Sequence, residues 1–257
     1  MDITVSIVSH GHGAQVDALL RQLQTLDEPR LRRVIVTLNL PEPALLEGLR
    51  ERRWPFHLEI IENAVPAGFG ANHNRAFEHD GLRDGRPLFA VLNPDLRLHA
   101  NPFAAMATML EGDGRIGAVY PVQIDAAGGR QDHERLLPTP ARLLSRHLLR
   151  RPIEMSEERP PDWVNAAFLL LRRVAYARVG GFDEGFHMYC EDVDLCLRLQ
   201  LDGWRLERAR GVLVEHAAQR ASRRQARHLL WHVASLWRLW RSPSWQAYRD
   251  WRSRGEN

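Results

Sequence analysis

The chain has 257 residues, 44% of them hydrophobic, which is enough to bury one large α/β core. Its formal net charge of +3 is unevenly distributed, because the residues after His216 include nine arginines and two acids. Two cysteines argue against a disulfide framework and a zinc site, and the lack of a long apolar run or a basic leader argues against a membrane-spanning or secreted protein. We expect a cytoplasmic protein.

Short β-branched runs alternate with segments of helical periodicity in the first half of the chain. Strands interleaved with helices of this length predict βαβ units, and hence a mostly parallel sheet flanked by helices. In such folds, ligands bind at the carboxyl ends of the strands. The predicted strands are Thr4–Ser9, Val34–Leu38, Leu58–Ile61, Phe89–Leu92 and Ile116–Pro121. The predicted helices are Val16–Leu26, Ala44–Arg52, Ala71–Leu82 and Pro102–Leu110.

The second half is less regular. Prolines and arginines predict a long mobile loop over about 128–161, with one helical piece near Ala141–Leu149. After this loop the pattern predicts a strand at Trp163–Leu171, a helix at Cys190–Leu201 and a last strand at Val212–Val214 that ends at His216.

The last segment, from Ser222 to Trp251, predicts a helix broken near Pro243, with arginine and tryptophan at helical intervals. Such a helix can lie on an anionic membrane surface, or it can pack on the catalytic domain or another subunit. No nucleic-acid module accompanies the arginines, which argues against nucleic acid as a partner. We expect a catalytic domain over 1–216 and a helical C-terminal extension over 217–257.

Asn93-Pro94-Asp95 follows an apolar predicted strand, which places Asp95 at a carboxyl end. A carboxylate there can hold Mg²⁺ or Mn²⁺ against a diphosphate, because hard cations prefer oxygen ligands. An ordinary turn built from the same residues is the alternative.

Asn63 and the run from Gly68 to Asn74 lie between the third predicted strand and the next helix. Glycines allow close backbone approach, and free amides at a helix start can face an anion, although an ordinary βα turn has a similar composition. The spacing matches no dinucleotide fingerprint, and the chain has no lysine for a P-loop.

Glu191, Asp192 and Asp194 bring three carboxylates to the start of a predicted helix. Acids at that position can simply cap the helix dipole. Alternatively, one carboxylate points into the cleft as a general base, with Tyr189 in the adjacent wall.

His10 and His12 flank a glycine at a spacing that can bind metal, but the sequence offers no convincing further ligand for such a site. We interpret His10 as a ligand-contacting loop residue. A histidine such as His216, at the end of a strand, is unremarkable by itself.

Taken together, these motifs resemble the family-2 inverting glycosyltransferases with the GT-A fold, and particularly the bacterial rhamnosyltransferase-like branch. The resemblance covers residues 1 to about 216 in order and spacing. The stretches that carry it are Glu62–Asn74, Leu92–Asp95, Trp163–Phe168 and Gly180–Cys196.

The resemblance implies roles for four residues. Asp95 is similar to the metal-binding aspartate of the short DXD-like motif, and His216 to the late histidine that can complete the metal site. Asp192 resembles the aspartate of the Glu-Asp pair that deprotonates the acceptor hydroxyl, and Glu191 would orient it. The implied cofactor is Mg²⁺ or Mn²⁺, which would offset the charge on the departing diphosphate.

The resemblance also implies a donor site at the strand ends and an acceptor site beside the base. The expected nucleotide-sugar contacts are Ser9, His10, Asn39, Asn63, Gly68, Phe69, Gly70, Asn74 and Asn93. Trp163 and Tyr189 are expected to contact the acceptor. Two positions depart from the family, because Asn39 follows a strand without the usual acid and Ala166 stands where relatives often have Gly.

We therefore expect transfer of a sugar, rhamnose from dTDP-rhamnose, to a glycan or lipid-linked acceptor in cell-surface polysaccharide synthesis, with peripheral contact at the inner face of the membrane. A UDP-sugar enzyme of the same family is the first alternative. A nucleotidyltransferase is another, although Ser9–Gly13 lacks its basic signature. The third is a non-catalytic, membrane-associated binding protein.

Overall fold

The computed structural model describes residues 1–148, 160–217 and 226–255. Strands and helices alternate through the first half of the chain, as the sequence predicts. The strands are β1 (Ile3–Ser9), β2 (Leu31–Leu38), β3 (His57–Glu62), β4 (Leu88–Leu92), β5 (Leu96–Arg97), β6 (Ile116–Ile124), β7 (Glu134–Arg135), β8 (Trp163–Val164), β9 (Phe168–Arg172) and β10 (Arg205–His216). The helices are α1 (Gly13–Thr25), α2 (Pro43–Glu51), α3 (Phe69–Gly81), α4 (Phe103–Gly112), α5 (Pro140–Leu148), α6 (Arg173–Arg178), α7 (Glu191–Leu201), α8 (Ala226–Arg241) and α9 (Pro243–Ser253).

Eight of these strands form one sheet in the order β3-β2-β1-β4-β9-β6-β10-β5. Strands β3, β2, β1 and β4 are parallel neighbours, and so are β6 and β10. Strand β9 runs antiparallel between β4 and β6, and β5 runs antiparallel beside β10. The predicted α/β class with a mostly parallel sheet flanked by helices is confirmed.

Two apolar layers cover the two faces of this sheet. One layer packs α1, α2 and α4 against the inward side chains of β1, β2 and β4. The other packs α3, α6 and α7 against the opposite face, and it also takes in Leu239, Trp245 and Tyr248 from the two C-terminal helices. The central strands β4 and β9 are buried almost throughout and are apolar on both faces, apart from Arg172 at the end of β9. One face of β1 instead carries Thr4 and Ser6, which bond to Asp80 and His73.

The segment predicted as one strand at Trp163–Leu171 is in fact two strands, β8 and β9, which belong to different sheets. The break falls at Asn165, whose side-chain amide pairs with that of Gln123 at 2.6 and 3.1 Å and whose backbone amide donates to His133 at 2.9 Å. These bonds turn the chain between the strands. The last strand is longer than predicted, with an irregularity between Ala209 and Leu213.

The helical piece predicted near Ala141–Leu149 is α5, and the loop predicted over about 128–161 also contains the short strand β7, which was not predicted. The mobility of this loop stays a prediction. Residues 149–159 of that loop, and the connection 218–225, lie outside the described residues. In the ranges that the structure describes, no helix combines the length and apolar character needed to cross a bilayer.

Candidate active site

The carboxyl ends of β2 and β3 are joined by a network of side-chain amides. Asn39 accepts hydrogen bonds from the Ala67 backbone amide and from Asn63, both at 2.8 Å. Asn63 also donates to Asn72 at 2.6 Å, and Asn72 donates to the Gly68 carbonyl at 2.9 Å. These amides therefore fix the loop between β3 and α3 against the end of β2. Asn72 belongs to the run from Gly68 to Asn74 that the sequence singles out, although it was not among the expected nucleotide-sugar contacts.

Ser9 and His10 lie at the end of β1, beside this network. Ser9 is buried, and its hydroxyl accepts from the His12 backbone amide at 3.2 Å. The exposed ring of His10 meets the Asn39 amide, with its Nδ1 atom 2.9 Å away. Their predicted contact with the nucleotide-sugar stays a prediction, while their placement at one edge with Asn39 and Asn63 agrees with the expected geometry.

The glycines of the next loop are required by close packing. A Cβ on Gly68 would lie 2.7 Å from the His187 carbonyl oxygen, and one on Gly70 would lie 2.5 Å from the Phe182 Cβ. The Phe69 amide donates to the His187 carbonyl at 3.1 Å, and its ring contacts Phe182. The loop before α3 is thus pressed against the segment that leads to the acidic residues.

Asn74 joins the same two segments through its buried side chain. It donates to the Phe182 carbonyl at 2.9 Å and to Glu184 at 3.0 Å, and it accepts from the Phe182 amide at 2.9 Å and the Tyr176 hydroxyl at 2.6 Å. Gly181, with φ +68°, passes so close that a Cβ would lie 2.4 Å from the Asn74 oxygen. The amide is committed to this turn, and its predicted donor contact stays a prediction.

Asp95 and His216 are brought together, although 121 positions separate them in the numbering. The His216 Nε2 atom lies 3.3 Å from a carboxylate oxygen of Asp95, and both side chains are largely buried. Two neighbouring strands produce this contact, because His216 ends β10 opposite Leu96 of β5, and the Ala217 amide donates to the Asp95 carbonyl at 3.2 Å.

The Asp95 and His216 side chains fit a divalent cation. His216 Nδ1 is buried without a hydrogen-bond partner. The pair offers one carboxylate and one imidazole. Mn²⁺ accepts both kinds of ligand, whereas Mg²⁺ prefers the carboxylate oxygen. Within the described residues, no cluster of three or more His, Cys, Asp or Glu side chains could hold a metal. The remaining ligands would have to come from phosphate oxygens and water.

The three predicted carboxylates at the start of α7 have different surroundings. Asp194 is buried and bonded to Arg198 at 2.7 Å and to Ser244 at 2.6 Å, so it is structural. Glu191 is buried, and its Oε2 atom has no hydrogen-bond partner. Asp192 is only partly buried and accepts from the Val193 amide at 2.8 Å.

Burial raises the pKa of Glu191 well above its ordinary value, and the charge of Asp192 raises it further. Burial also raises the pKa of Asp192, although the Val193 amide, the Arg135 guanidinium and the Ala166 amide oppose that shift. Because the two carboxyls interact, we expect the pair to share a proton near neutral pH. We expect Asp192 to ionise first, because it has more partners that stabilise its carboxylate.

The loop between β8 and β9 brings Asp192 close to the Asp95 segment. The Ala166 amide stabilises the Asp192 carboxylate, and the Asn93 amide, two residues before Asp95, donates to the Ala167 carbonyl at 2.8 Å. The candidate base and the segment that carries Asp95 are therefore both bonded to one short loop, through its neighbouring residues Ala166 and Ala167.

The two predicted acceptor residues have different positions. Trp163 is buried, donates its indole N–H to the Leu136 carbonyl at 3.0 Å, and lies under the Arg135 guanidinium. Tyr189 is half-buried at the turn before Glu191, and its hydroxyl meets His228 of α8 at 3.0 Å. Tyr189 is therefore the better placed of the two for acceptor contact, which stays a prediction for both.

No protein-family model matches this chain. The rhamnosyltransferase WbbL of Escherichia coli is 30% identical to it, over 92% of this chain and 91% of that protein. This chain belongs to the rhamnosyltransferase-like branch of the family-2 glycosyltransferases. The N-acetylglucosaminyl-diphospho-decaprenol L-rhamnosyltransferase of Mycobacterium tuberculosis is 29% identical, over 79% of this chain and 74% of that protein.

Solved glycosyltransferase structures have the same fold as this chain. The mannosyltransferase PcManGT of Pyrobaculum calidifontis, in complex with GDP-Man and Mn²⁺, matches with a TM-score of 0.62 at 19% identity, covering 92% of this chain. This chain spans 64% of that longer protein, so the likeness concerns the GT-A fold alone.

Helix α8 packs on the catalytic domain at the segment just before the candidate base. Ser235 donates to the Met188 carbonyl at 2.8 Å, and Arg238 pairs with Asp183 at 2.9 Å. The Arg and Trp periodicity indicated a helix, and packing on the catalytic domain was one of its two open alternatives. The sequence contains no signal for the particular segment that α8 contacts.

The raised pKa of Asp192 predicts the pH dependence of transfer. Only the carboxylate form can accept a proton, so kcat should fall as the pH decreases through that raised pKa, well above the ordinary aspartate value of 3.8. The test is kcat at saturating substrates from about pH 4 to about pH 8. A rate that stays constant down to about pH 4 would contradict the assignment of Asp192, which faces Glu191 and Arg135.

Proposed function

We propose that this protein is a metal-dependent inverting glycosyltransferase that moves rhamnose from dTDP-rhamnose to a glycan or lipid-linked acceptor in cell-surface polysaccharide synthesis. The observation that carries the proposal is the approach of Asp192 and of the Asp95 and His216 pair to one loop at the carboxyl edge of the sheet. The rhamnosyltransferase activity in the names of both relatives supports the choice of sugar.

Asp192 acts as the general base in this proposal. Its carboxylate takes the proton of the acceptor hydroxyl while that oxygen bonds to the anomeric carbon, and the bond from that carbon to the diphosphate breaks on the opposite face. The nucleoside diphosphate leaves with the bonding electrons, and the configuration inverts. A carboxylate with a raised pKa is a stronger base than an exposed aspartate, which favours this step.

Glu191 supports the base as a neutral neighbour. Since its pKa is raised by burial and by the charge of Asp192, it holds the shared proton at neutral pH. A protonated Glu191 leaves a single negative charge at the pair, so the acceptor hydroxyl meets one base and no second carboxylate competes for its proton.

Asp95 and His216 would hold Mg²⁺ or Mn²⁺ in this proposal. The bound cation would offset the negative charge that develops on the departing diphosphate. The Mn²⁺ in the mannosyltransferase complex supports this choice of cofactor.

The donor lies along the ends of β1, β2 and β4 in this proposal. Ser9, His10 and Asn93 line that edge, and the loop fixed by Asn39 and Asn63 closes one end of it. The tight packing of Gly68, Phe69, Gly70 and Asn74 shapes the wall of the donor site. A UDP-sugar would use the same edge and is the alternative donor. Membership of a glycosyltransferase family argues against a nucleotidyltransferase.

Replacement of Asp192 by Asn tests the proposed base. We expect kcat to fall by roughly 10²- to 10⁴-fold, because the amide cannot accept the proton, while dTDP-rhamnose still raises the Tm as in the unaltered protein. The matched control is Asp250→Asn on the exposed side of α9, which should transfer normally. Near-normal turnover by Asp192→Asn would refute Asp192 as the base. No turnover by the unaltered protein with any dTDP-, UDP- or GDP-sugar would refute the enzyme proposal and favour a binding protein.

Chelation and substitution test the proposed metal pair. Excess EDTA should abolish transfer and added Mn²⁺ should restore it, and Asp95→Ala should lower kcat on the order of 10²-fold. His216→Ala should raise the Mn²⁺ concentration needed for half-maximal activity, because one nitrogen ligand is lost. Full transfer in excess chelator would show that the pair has another role.

We also propose that residues 1–216 form the catalytic domain and that the extension over 217–257 contacts the cytoplasmic face of the membrane. Four apolar side chains on α8 are more than half exposed and lie within about one quadrant of the helix. They are Leu229, Leu230, Val233 and Trp237. Nine arginines against two acids after His216 give this extension the charge that anionic lipids attract.

Vesicle binding tests the membrane contact. The protein should float with phosphatidylglycerol vesicles and should not float with phosphatidylcholine vesicles, because the arginines need anionic lipid. The double variant Leu230→Ser, Trp237→Ser should bind more weakly, whereas Val65→Ser, Leu82→Ser, which removes two even more exposed apolar residues elsewhere, should bind normally. Binding that does not depend on lipid charge, or on the α8 pair, would contradict the proposal.

A further inference from the structure

The turn that carries the candidate base has an unusual backbone. Tyr189 and Cys190, the two residues before Glu191, both have left-handed φ angles, of 71° and 64°. Side chains disfavour this conformation, and two consecutive non-glycine residues adopt it only where neighbouring structure holds them. Cys190 is the N-cap of α7 and provides no side-chain hydrogen bond to the helix. The turn therefore depends on contacts from elsewhere in the fold.

Helix α8 supplies two of these contacts directly at the turn. The Ser235 hydroxyl donates to the Met188 carbonyl at 2.8 Å, and the Tyr189 hydroxyl lies 3.0 Å from His228 Nδ1. The Tyr189 ring also meets the edge of His232, with centroids 5.0 Å apart. Backbone and side chain of the turn are thus bonded to one face of one helix.

Further contacts extend this attachment on both sides of the turn. On the N-terminal side, Arg238 pairs with Asp183, and the Trp231 ring lies against His187 with centroids 4.9 Å apart. On the C-terminal side, Ser244 of α9 donates to the buried carboxylate of Asp194 at 2.6 Å.

We propose that α8 and α9 position the catalytic base, with Tyr189 and His228 as the principal positioning pair. The proposal rests on the proposed function, in which Asp192 is that base. Helices α8 and α9 then act as positioning elements for the base, and the proposed reaction assigns no bond-making group to them. Displacement of a reacting group by about 1 Å can reduce a rate by about 10²-fold, so a loosened turn would slow transfer without removing any reacting group.

Three substitutions test the positioning pair in the full-length protein. Tyr189→Phe and His228→Ala each remove the hydrogen bond, and we expect kcat to fall about 10- to 100-fold while the KM for the donor stays unchanged. His228→Asn should recover most of the rate, because the asparagine amide can occupy the place of Nδ1 and bond to the tyrosine hydroxyl. The control is Ala234→Gln on the exposed side of α8, which should transfer normally.

The pH profile separates positioning from a general loss of stability. Loosening the turn should admit water to Asp192, which lies between Glu191 and Arg135, so the acid limb of kcat should move to lower pH in Tyr189→Phe and His228→Ala. A variant that only unfolds more easily would lose active protein and Tm but keep the original acid limb. The proposal would be overturned if kcat did not change in these variants. It would also be overturned if kcat fell while the acid limb of the pH profile stayed in place and His228→Asn restored no activity.

Asp192→Asn, measured in parallel, distinguishes failure of this inference from failure of the proposed function. If Asp192→Asn abolishes transfer while the Tyr189 and His228 variants remain fully active, the base assignment stands and only the positioning role is wrong. If Asp192→Asn remains active, the proposed base is wrong and the positioning role fails with it.

Discussion

The buried amide of Asn74 holds together the two segments on which the site depends. It bonds to both backbone groups of Phe182, and the same region is closed by the contact of Gly68 and Gly70 with the segment from Phe182 to His187. A buried amide that lost these partners would leave several polar groups unsatisfied. The loop before α3 and the segment that leads to the acidic residues therefore form one unit. They cannot separate without breaking the hydrogen bonds of the buried Asn74 amide.

Differences in environment assign different roles to similar side chains. Asp194 pairs with the Arg198 guanidinium and accepts a hydrogen bond from Ser244, whereas Asp192 accepts from the Val193 amide and is only partly buried. Glu191, which precedes both, is buried and has no hydrogen-bond partner for one oxygen, which favours its protonated form. Three carboxylates within four residues thus include one structural anion, one proton holder and one candidate base. Burial and hydrogen bonding, rather than residue type, make the distinction.

The C-terminal helices connect the outside of the molecule to the site. One side of α8 exposes Leu229, Leu230, Val233 and Trp237, and the other side bonds to Met188 and Tyr189. In the proposed function, a helix that contacts the membrane on its outer side would carry the base turn on its inner side. A lipid-linked acceptor would then meet the base close to the surface in which it is anchored.

By itself, the sequence determined the fold class and the family. The hydrophobic periodicity of each segment distinguishes strands from helices. The alternation of strands and helices along the chain then indicates a parallel sheet. The motif around Asp192 and the segment ending at Asp95 were recognisable because their residues are close together in the chain. The placement of polar residues at strand ends also followed from the pattern, since parallel strands share one carboxyl edge.

Only the tertiary structure decided which distant residues meet. The contact of His216 with Asp95 requires β10 and β5 to be neighbours, and the break at Asn165 requires Gln123 from another strand. The bond between Tyr189 and His228 joins the turn before α7 to α8, and no local sequence pattern links the two residues. Short-range periodicity shows which face of a helix or strand is buried, but it does not show which other element packs against that face. Which elements become neighbours depends on how all of them pack together in the folded protein.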